Sequence, residues 1–142
     1  MLSSATAGLR PYAPTILRIV VGIVFMAHGL QKLQGIEGTV GFFGFLGIPA
    51  PEIMAWVVAL VETLGGLALI LGLGTRYAAA LLAVVMLVAI LMVKLPVGLI
   101  APMDTPGVGY ELDGTLLAAS LALLILGGGA LSLEQILLKR EL

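Results

Sequence analysis

A carboxylate, Glu62, lies near the middle of a long apolar stretch that runs from Pro51 to Gly74. The stretch is long enough to cross a bilayer, which takes about 20 residues. A charged side chain at that depth costs at least about 2.5 kcal/mol on insertion scales, so it usually faces a protein interior and marks a functional site. The stretch therefore predicts a membrane-spanning helix with a buried polar site.

The composition of the whole chain is also that of a membrane protein. Hydrophobic residues make up 61% of its 142 residues and charged residues 11%, whereas soluble domains carry about 25% charged residues. The net charge of −1 gives no basic face, which excludes nucleic-acid binding. Cysteine is absent and histidine occurs once, so thiol chemistry is excluded and no metal site is expected. The length suits a single domain, residues 1–142.

Four apolar segments predict an all-α integral membrane protein, built as a bundle of four transmembrane helices. The predicted spans are residues 15–33, 51–73, 77–95 and 111–128. The connector 34–50, rich in glycine and phenylalanine, predicts a short helix at the interface or dipping between the spans.

Two features predict helix ends. Thr75 is predicted to cap the N-terminus of the third span. Ser132 with Gln135 predicts the cap of a C-terminal amphipathic helix, which would lie on the membrane with Glu134 and Lys139 on its polar face.

The basic residues predict the orientation of the bundle. Four spans put both termini on one side of the membrane, and the other side has only Lys32 and Lys94, both at helix ends. The side of the termini collects Arg10, Arg76, Lys139 and Arg140. The positive-inside rule then predicts a multi-pass membrane protein with both termini in the cytoplasm.

Polar residues of several spans are predicted to meet in the outer half of the bundle, with Glu62 a few turns below the others. Such charges should pair, because an isolated charge is expensive in a low-dielectric bundle. Depth alone predicts a water-accessible pocket that opens outward with Glu62 at its floor. The candidate ligand-binding residues are Arg18, His28, Lys32, Glu62, Lys94, Glu111 and Asp113, with Glu62 and His28 the candidates for a catalytic role.

Alternatives stay open for these residues. Arg18 and Lys32 could equally be explained by side chains that extend (snorkel) to the two membrane interfaces instead of into a site. For His28, the alternative to a chemical role is a neutral imidazole that is hydrogen-bonded to a neighbouring helix. Glu62 is alternatively paired with Arg18, which lies in the inner third of the first span.

Several motifs resemble the DoxX family of small bacterial membrane proteins over nearly the whole chain. They are LRIVVGIVFMAHGLQKL, FLGIP, WVVALVETLGGLALILGLGTRYAA and GYELDGTLLAASLALLILGGGALSLE. The resemblance implies a four-helix membrane bundle in the bacterial cytoplasmic (inner) membrane. Founding members of the family look like the small subunit of a thiosulfate:quinone oxidoreductase, and other relatives are associated with quinone, thiol or oxidative stress, sometimes as partners of soluble redox enzymes.

The leading functional hypothesis is a quinone-site or redox-associated subunit that acts with a partner oxidoreductase. His28, Lys32 or Lys94 would donate hydrogen bonds to the quinone carbonyls, and Glu62 would relay protons. The sequence has no flavin, haem, iron–sulfur or dithiol signature, so no cofactor is expected within the chain and a redox partner or a bound cofactor would be required. The alternatives are a small-solute or proton-coupled carrier and a non-catalytic membrane assembly subunit. Small-residue faces on the third and fourth spans permit a homodimer.

Overall fold

The computed structural model describes residues 2–104 and 107–139, and within these ranges the chain is helical with connecting loops and no β-strand. Arg140, which the charge count assigned to the cytoplasmic side, lies outside the described residues. The helices are α1 (Leu2–Thr6), a 3₁₀ segment (Ala7–Tyr12), α2 (Ala13–Gln34), α3 (Ile36–Phe45), α4 (Pro51–Leu71), α5 (Thr75–Ala89) with a π-helical turn (Ile90–Lys94), α6 (Glu111–Leu126) and α7 (Leu133–Leu138).

In the described ranges, three helical stretches are long and apolar enough to cross a bilayer. They are Ser4–Gln34, Pro51–Leu71 and Thr75–Lys94. The α6 helix has 16 residues and rises about 24 Å, which is less than the hydrocarbon core of about 30 Å. The protein is therefore an all-helical membrane protein, and the crossing of the bilayer by α6 stays a prediction.

Glycines bring the backbones of α2 and α4 into direct contact. A Cβ atom placed on Gly22 or on Gly66 would lie 2.6 Å from the carbonyl oxygen of the other residue, and a Cβ atom on Gly29 would lie 2.9 Å from the Ala59 oxygen. Such close approach needs residues without side chains. These contacts fix an antiparallel register that sets the C-terminal half of α2, with Lys32, beside the N-terminal half of α4.

The turn between α4 and α5 depends on two glycines in the left-handed region, Gly72 with φ +68° and Gly74 with φ +55°. On the two sides of this turn, α4 packs mainly against α2, and α5 packs mainly against α6. The core between the helices includes the fully buried side chains of Phe25, Leu69 and Leu82. The four long helices α2, α4, α5 and α6 thus form one bundle.

Arg18 is 2% exposed and holds the end of the bundle near this turn together. Its Nε donates to the Gly128 oxygen at 2.9 Å, its Nη1 to the oxygens of Leu69, at 2.9 Å, and Ile70, and its Nη2 to the Leu131 oxygen at 3.0 Å. The carbonyl oxygens at the C-terminus of α4 lie at the negative end of the helix dipole, which explains why a guanidinium is held there. Snorkelling is therefore the wrong interpretation for Arg18.

Glu134 corrects the prediction for the C-terminal helix. Its side chain is fully buried, and its Oε2 accepts a hydrogen bond from the Gly74 N–H at 3.0 Å. Glu134 does not lie on an exposed polar face, because the unpaired N–H groups and positive dipole end at the start of α5 attract a carboxylate. The Glu134 carboxylate thus caps α5, and the cap predicted at Thr75 is wrong, because Gly74 holds the cap position and no side chain of that position makes a capping bond. The cap predicted at Ser132 is confirmed, since its Oγ accepts a hydrogen bond from the Gln135 N–H at 3.3 Å.

Candidate functional site

A cavity of about 510 Å³ lies at the opposite end of the bundle from the α4–α5 turn. Its walls come from the C-terminal half of α2, from α3, from the N-terminal half of α4, from the later part of α5 with the π-helical turn, and from the start of α6. Most of the lining side chains are aliphatic or aromatic. The polar ones are His28, Lys32, Glu62, Lys94 and Asp113. The volume is within the range of about 300–1,000 Å³ that is typical of small-molecule sites.

Lys32 and Glu62 form an ion pair on the cavity wall. The Lys32 Nζ and Glu62 Oε2 atoms are 2.6 Å apart, and the two side chains are 26% and 3% exposed. The glycine contacts between α2 and α4 produce this pair, because they set Lys32 beside the first half of α4. The pairing of Glu62 with Arg18 is not formed. The Glu62 carboxylate is therefore both paired and placed on a cavity.

His28 precedes Lys32 by about one turn and lines the same cavity. It lies close enough to Glu62 to interact with it electrostatically, as does Asp113 from α6. In the ranges that the structure covers, no hydrogen bond occupies the imidazole, so the predicted bond to a neighbouring helix is not formed. The imidazole is exposed and available to a molecule in the cavity.

Lys94 enters the cavity from the π-helical turn that ends α5. The Leu95 N–H donates to the Ile90 oxygen at 2.8 Å, which widens the helix there, and such turns are frequent at functional sites. The Lys94 Nζ donates to the Val108 oxygen at 3.0 Å. This bond ties the loop before α6 to the end of α5 and uses one of the three N–H groups of Lys94.

Two of the predicted site residues lie outside the cavity lining. Arg18 belongs to the other end of the bundle. Glu111 begins α6 with an exposed side chain, and its backbone N–H donates to the Leu99 oxygen at 3.1 Å. Sequence reasoning missed Phe42 and Phe43 of α3, which form part of the cavity wall. Their aromatic character was visible, but nothing in the sequence showed which face of α3 meets α4.

Comparison with known proteins identifies the family. The DoxX family model matches residues 13–95, more than half of the chain. The chain belongs to the DoxX family. The matched region contains α2 to α5 and with them His28, Lys32, Glu62 and Lys94, whereas Asp113 lies beyond it.

Two proteins of known sequence are similar to this chain over most of its length. "Putative oxidoreductase CatD" of Bacillus subtilis is 38% identical over 125 residues, which cover 87% of this chain and 86% of the relative. "Uncharacterized membrane protein Rv3486" of Mycobacterium tuberculosis is 34% identical over 137 residues, which cover 92% of this chain and 84% of the relative. No solved structure gives a significant match.

The polar groups of the cavity offer both donors and acceptors to a ligand. Lys32 and Lys94 each keep N–H groups beyond those used in the contacts described above, while Glu62 and Asp113 are acceptors. The formal charges of Lys32 and Lys94 balance those of Glu62 and Asp113. The cavity can therefore hold a mainly apolar, uncharged molecule that carries hydrogen-bonding oxygens.

Proposed function

We propose that this protein is a quinone-site subunit of the bacterial cytoplasmic membrane and acts with a partner oxidoreductase. The observation that carries the proposal is the apolar cavity of about 510 Å³ with the Lys32–Glu62 pair and His28 on its wall. A quinone has an apolar ring and two carbonyl oxygens that accept hydrogen bonds, which is the chemistry this lining suits.

Each polar residue has a part in the proposed reaction. Reduction of a quinone to its quinol consumes two electrons and two protons, one proton at each carbonyl oxygen. Lys32 and Lys94 hold the carbonyl oxygens through their remaining N–H groups. The Glu62 carboxylate and the His28 imidazole each take up one proton from water at the outer mouth of the cavity and pass it to a carbonyl oxygen of the quinone as it is reduced.

The electrons come from the partner oxidoreductase. The sequence has no cysteine pair and no cofactor-binding motif of its own, so the chain supplies the quinone site and the partner supplies the reductant. The name of the Bacillus subtilis relative, which calls it an oxidoreductase, supports a redox role.

The same proposal places the protein in the membrane. With α6 as a fourth span, both termini lie in the cytoplasm and the cavity lies in the outer half of the bilayer. This orientation follows the positive-inside rule, and Arg76 lies at the cytoplasmic end, where its Nη1 donates to the Leu124 oxygen at 3.2 Å and the Ile125 oxygen at 3.0 Å.

Mass spectrometry of an organic extract of the purified protein tests the quinone site. We expect near-stoichiometric quinone with the wild-type protein and a severalfold lower yield with Glu62→Gln and with His28→Ala. The matched control is Glu52→Gln, which makes the same change on the same helix at an exposed position outside the cavity. It should retain the wild-type yield.

Either of two other results would contradict the proposal. Phospholipid without quinone in all samples would exclude a stable quinone site and favour the carrier hypothesis, which an ion pair facing a cavity also fits. Quinone that is retained equally by all variants would show that the molecule is bound somewhere other than at Glu62 and His28.

A further inference from the structure

The helices α4 and α5 stay in contact near their turn and then separate along the cavity. They touch where Leu82 packs over Gly65, and a Cβ atom on Gly65 would lie 3.2 Å from the Leu82 Cγ atom. Farther from the turn, α4 lines the cavity from Met54 to Glu62, and α5 with its π-helical turn lines it from Leu81 to Lys94. The cavity therefore occupies the gap between these two helices.

The edges of this gap are apolar and reach the outer surface of the bundle. Val57 on α4 and Val84 on α5 both line the cavity, yet they are 43% and 59% exposed. Leu81 and Val88 also line the cavity and are also exposed, and they lie on the same face of α5 as Val84. Because α4 and α5 are both long and apolar enough to span the membrane, this opening faces the acyl chains of the bilayer.

Three of the five polar side chains of the cavity belong to helices that do not border the gap, and a fourth, Glu62 on α4, is paired with one of these three, Lys32. His28 and Lys32 belong to α2 and Asp113 belongs to α6, the two helices that close the bundle opposite the gap. A molecule that entered between Val57 and Val84 would therefore meet apolar side chains before it reached the Lys32–Glu62 pair. The balanced charges of the cavity favour an uncharged head group.

We propose that the cavity is loaded sideways from the bilayer, through the gap between α4 and α5, by a ligand with an uncharged hydrogen-bonding head and a hydrocarbon tail. The head lies against the Lys32–Glu62 pair, and the tail stays in the gap between Val57 and Val84. This inference rests on the proposed function and adds to it that the isoprenoid tail of the quinone is part of what the protein binds.

Blocking the gap tests the path of the tail. The full chain in lipid nanodiscs is titrated with a naphthoquinone that carries an isoprenoid tail and with the same naphthoquinone without the tail. Val84→Trp and, separately, Val57→Trp should weaken the affinity for the tailed quinone by about tenfold and for the tailless quinone by less than about twofold. The controls Leu87→Trp and Leu60→Trp, on the same helices at exposed positions outside the cavity lining, should change neither affinity.

A photoreactive long-chain alcohol provides a readout that needs no quinone. Phe25 and Leu116 line the cavity but are 1% and 7% exposed, so a hydrocarbon chain in the bilayer reaches them only through the cavity. A diazirine at the end of the chain should label these two residues in the wild-type protein and in both controls. Labelling should be lost in Val84→Trp and in Val57→Trp.

These outcomes separate the two proposals. Labelled Phe25 and Leu116 without binding of either quinone would support the lateral opening and contradict the quinone site. Equal binding of both quinones in every variant would support the quinone site and overturn lateral loading. Absence of label on Phe25 and Leu116 in the wild-type protein would also overturn lateral loading.

Discussion

The buried charges of this protein differ in what their side chains can reach. Arg18 is surrounded by carbonyl oxygens of α4 and of the segment after α6, with the Glu134 carboxylate near enough to attract it. Glu62 is as deeply buried, but its partner Lys32 is partly exposed on a cavity. Arg18 and Glu134 thus serve the fold, whereas Lys32 and Glu62 are placed to contact a ligand.

We expect Arg18→Lys to lower the free energy of unfolding by about 3 kcal/mol, since an ammonium cannot span four separate carbonyl acceptors and the rest stay buried and unpaired. Thermal unfolding in detergent measures the loss. The control is Arg10→Lys, the same change at an exposed arginine, which should have little effect. Equal stability of the two variants would show that the Arg18 hydrogen bonds contribute nothing.

We expect Lys32→Met to destabilise the protein by about 3 kcal/mol, because it leaves the Glu62 carboxylate buried without its partner. The double variant Lys32→Met/Glu62→Met should recover most of that stability, since no lone charge remains. Chemical unfolding measures the stability of the single and double variants, and mass spectrometry of an organic extract measures how much quinone each variant retains.

The two readouts of the double variant separate a structural role of the pair from a binding role. If the pair contacts a quinone, the double variant should be stable and yet retain severalfold less quinone than the wild-type protein. Full quinone retention by the double variant would limit the pair to a structural role.

At the scale of elements, the function of the bundle depends on how closely helices approach. The glycine contact between α2 and α4 is tight and sets the register that pairs Lys32 with Glu62. The helices α4 and α5 touch near their turn, where Leu82 packs over Gly65, and both line the cavity farther from the turn. One helix pair thus sets the register of the ion pair, and the other borders the cavity.

Gly66→Ala should destabilise the protein by about 1–3 kcal/mol, because the new methyl group would lie 2.6 Å from the backbone of α2. The matched control is Gly38→Ala on α3, where a Cβ atom meets nothing within 4 Å. That change should be neutral or slightly stabilising, as alanine favours helices. Thermal unfolding of both variants makes the comparison, and a neutral Gly66→Ala would show that α2 and α4 can shift apart freely.

At the scale of the whole molecule, the number of spans depends on whether the 16 residues of α6 cross the bilayer. The helix packs along α5 and contributes Leu112, Asp113 and Leu116 to the cavity, so it lies beside a spanning helix. A short span of this kind is accommodated by local thinning of the bilayer or by loop residues in the interface.

Cysteine labelling in intact cells tests the topology, since the natural sequence has no cysteine. If α6 crosses, Met103→Cys, before α6, should react with a membrane-impermeant maleimide from outside. Lys139→Cys, after α7, and Ser4→Cys, near the N-terminus, should react only after the cells are opened. Reaction of Lys139→Cys from outside would show that α6 does not cross.

The sequence by itself determined the class of the protein and its helices. Long apolar segments must be helical in a bilayer, because their backbone groups have no other partners there, and Pro51 begins α4 as its fixed φ suggests. The depth of a residue also follows from its place along a span. For this reason the sequence predicted that polar residues from several spans would lie at one end, among them His28, Lys32, Lys94 and Asp113.

The tertiary structure decided which of those residues face one another. Depth left Glu62 free to pair with Arg18 or with a residue nearer the opposite end of the bundle, and the Gly22–Gly66 contact settled the choice in favour of Lys32. Depth likewise could not show that Glu134 turns inward to the start of α5. Rotation of a helix about its axis, and the gap between two helices, depend on contacts between residues far apart in the chain, which no local pattern records.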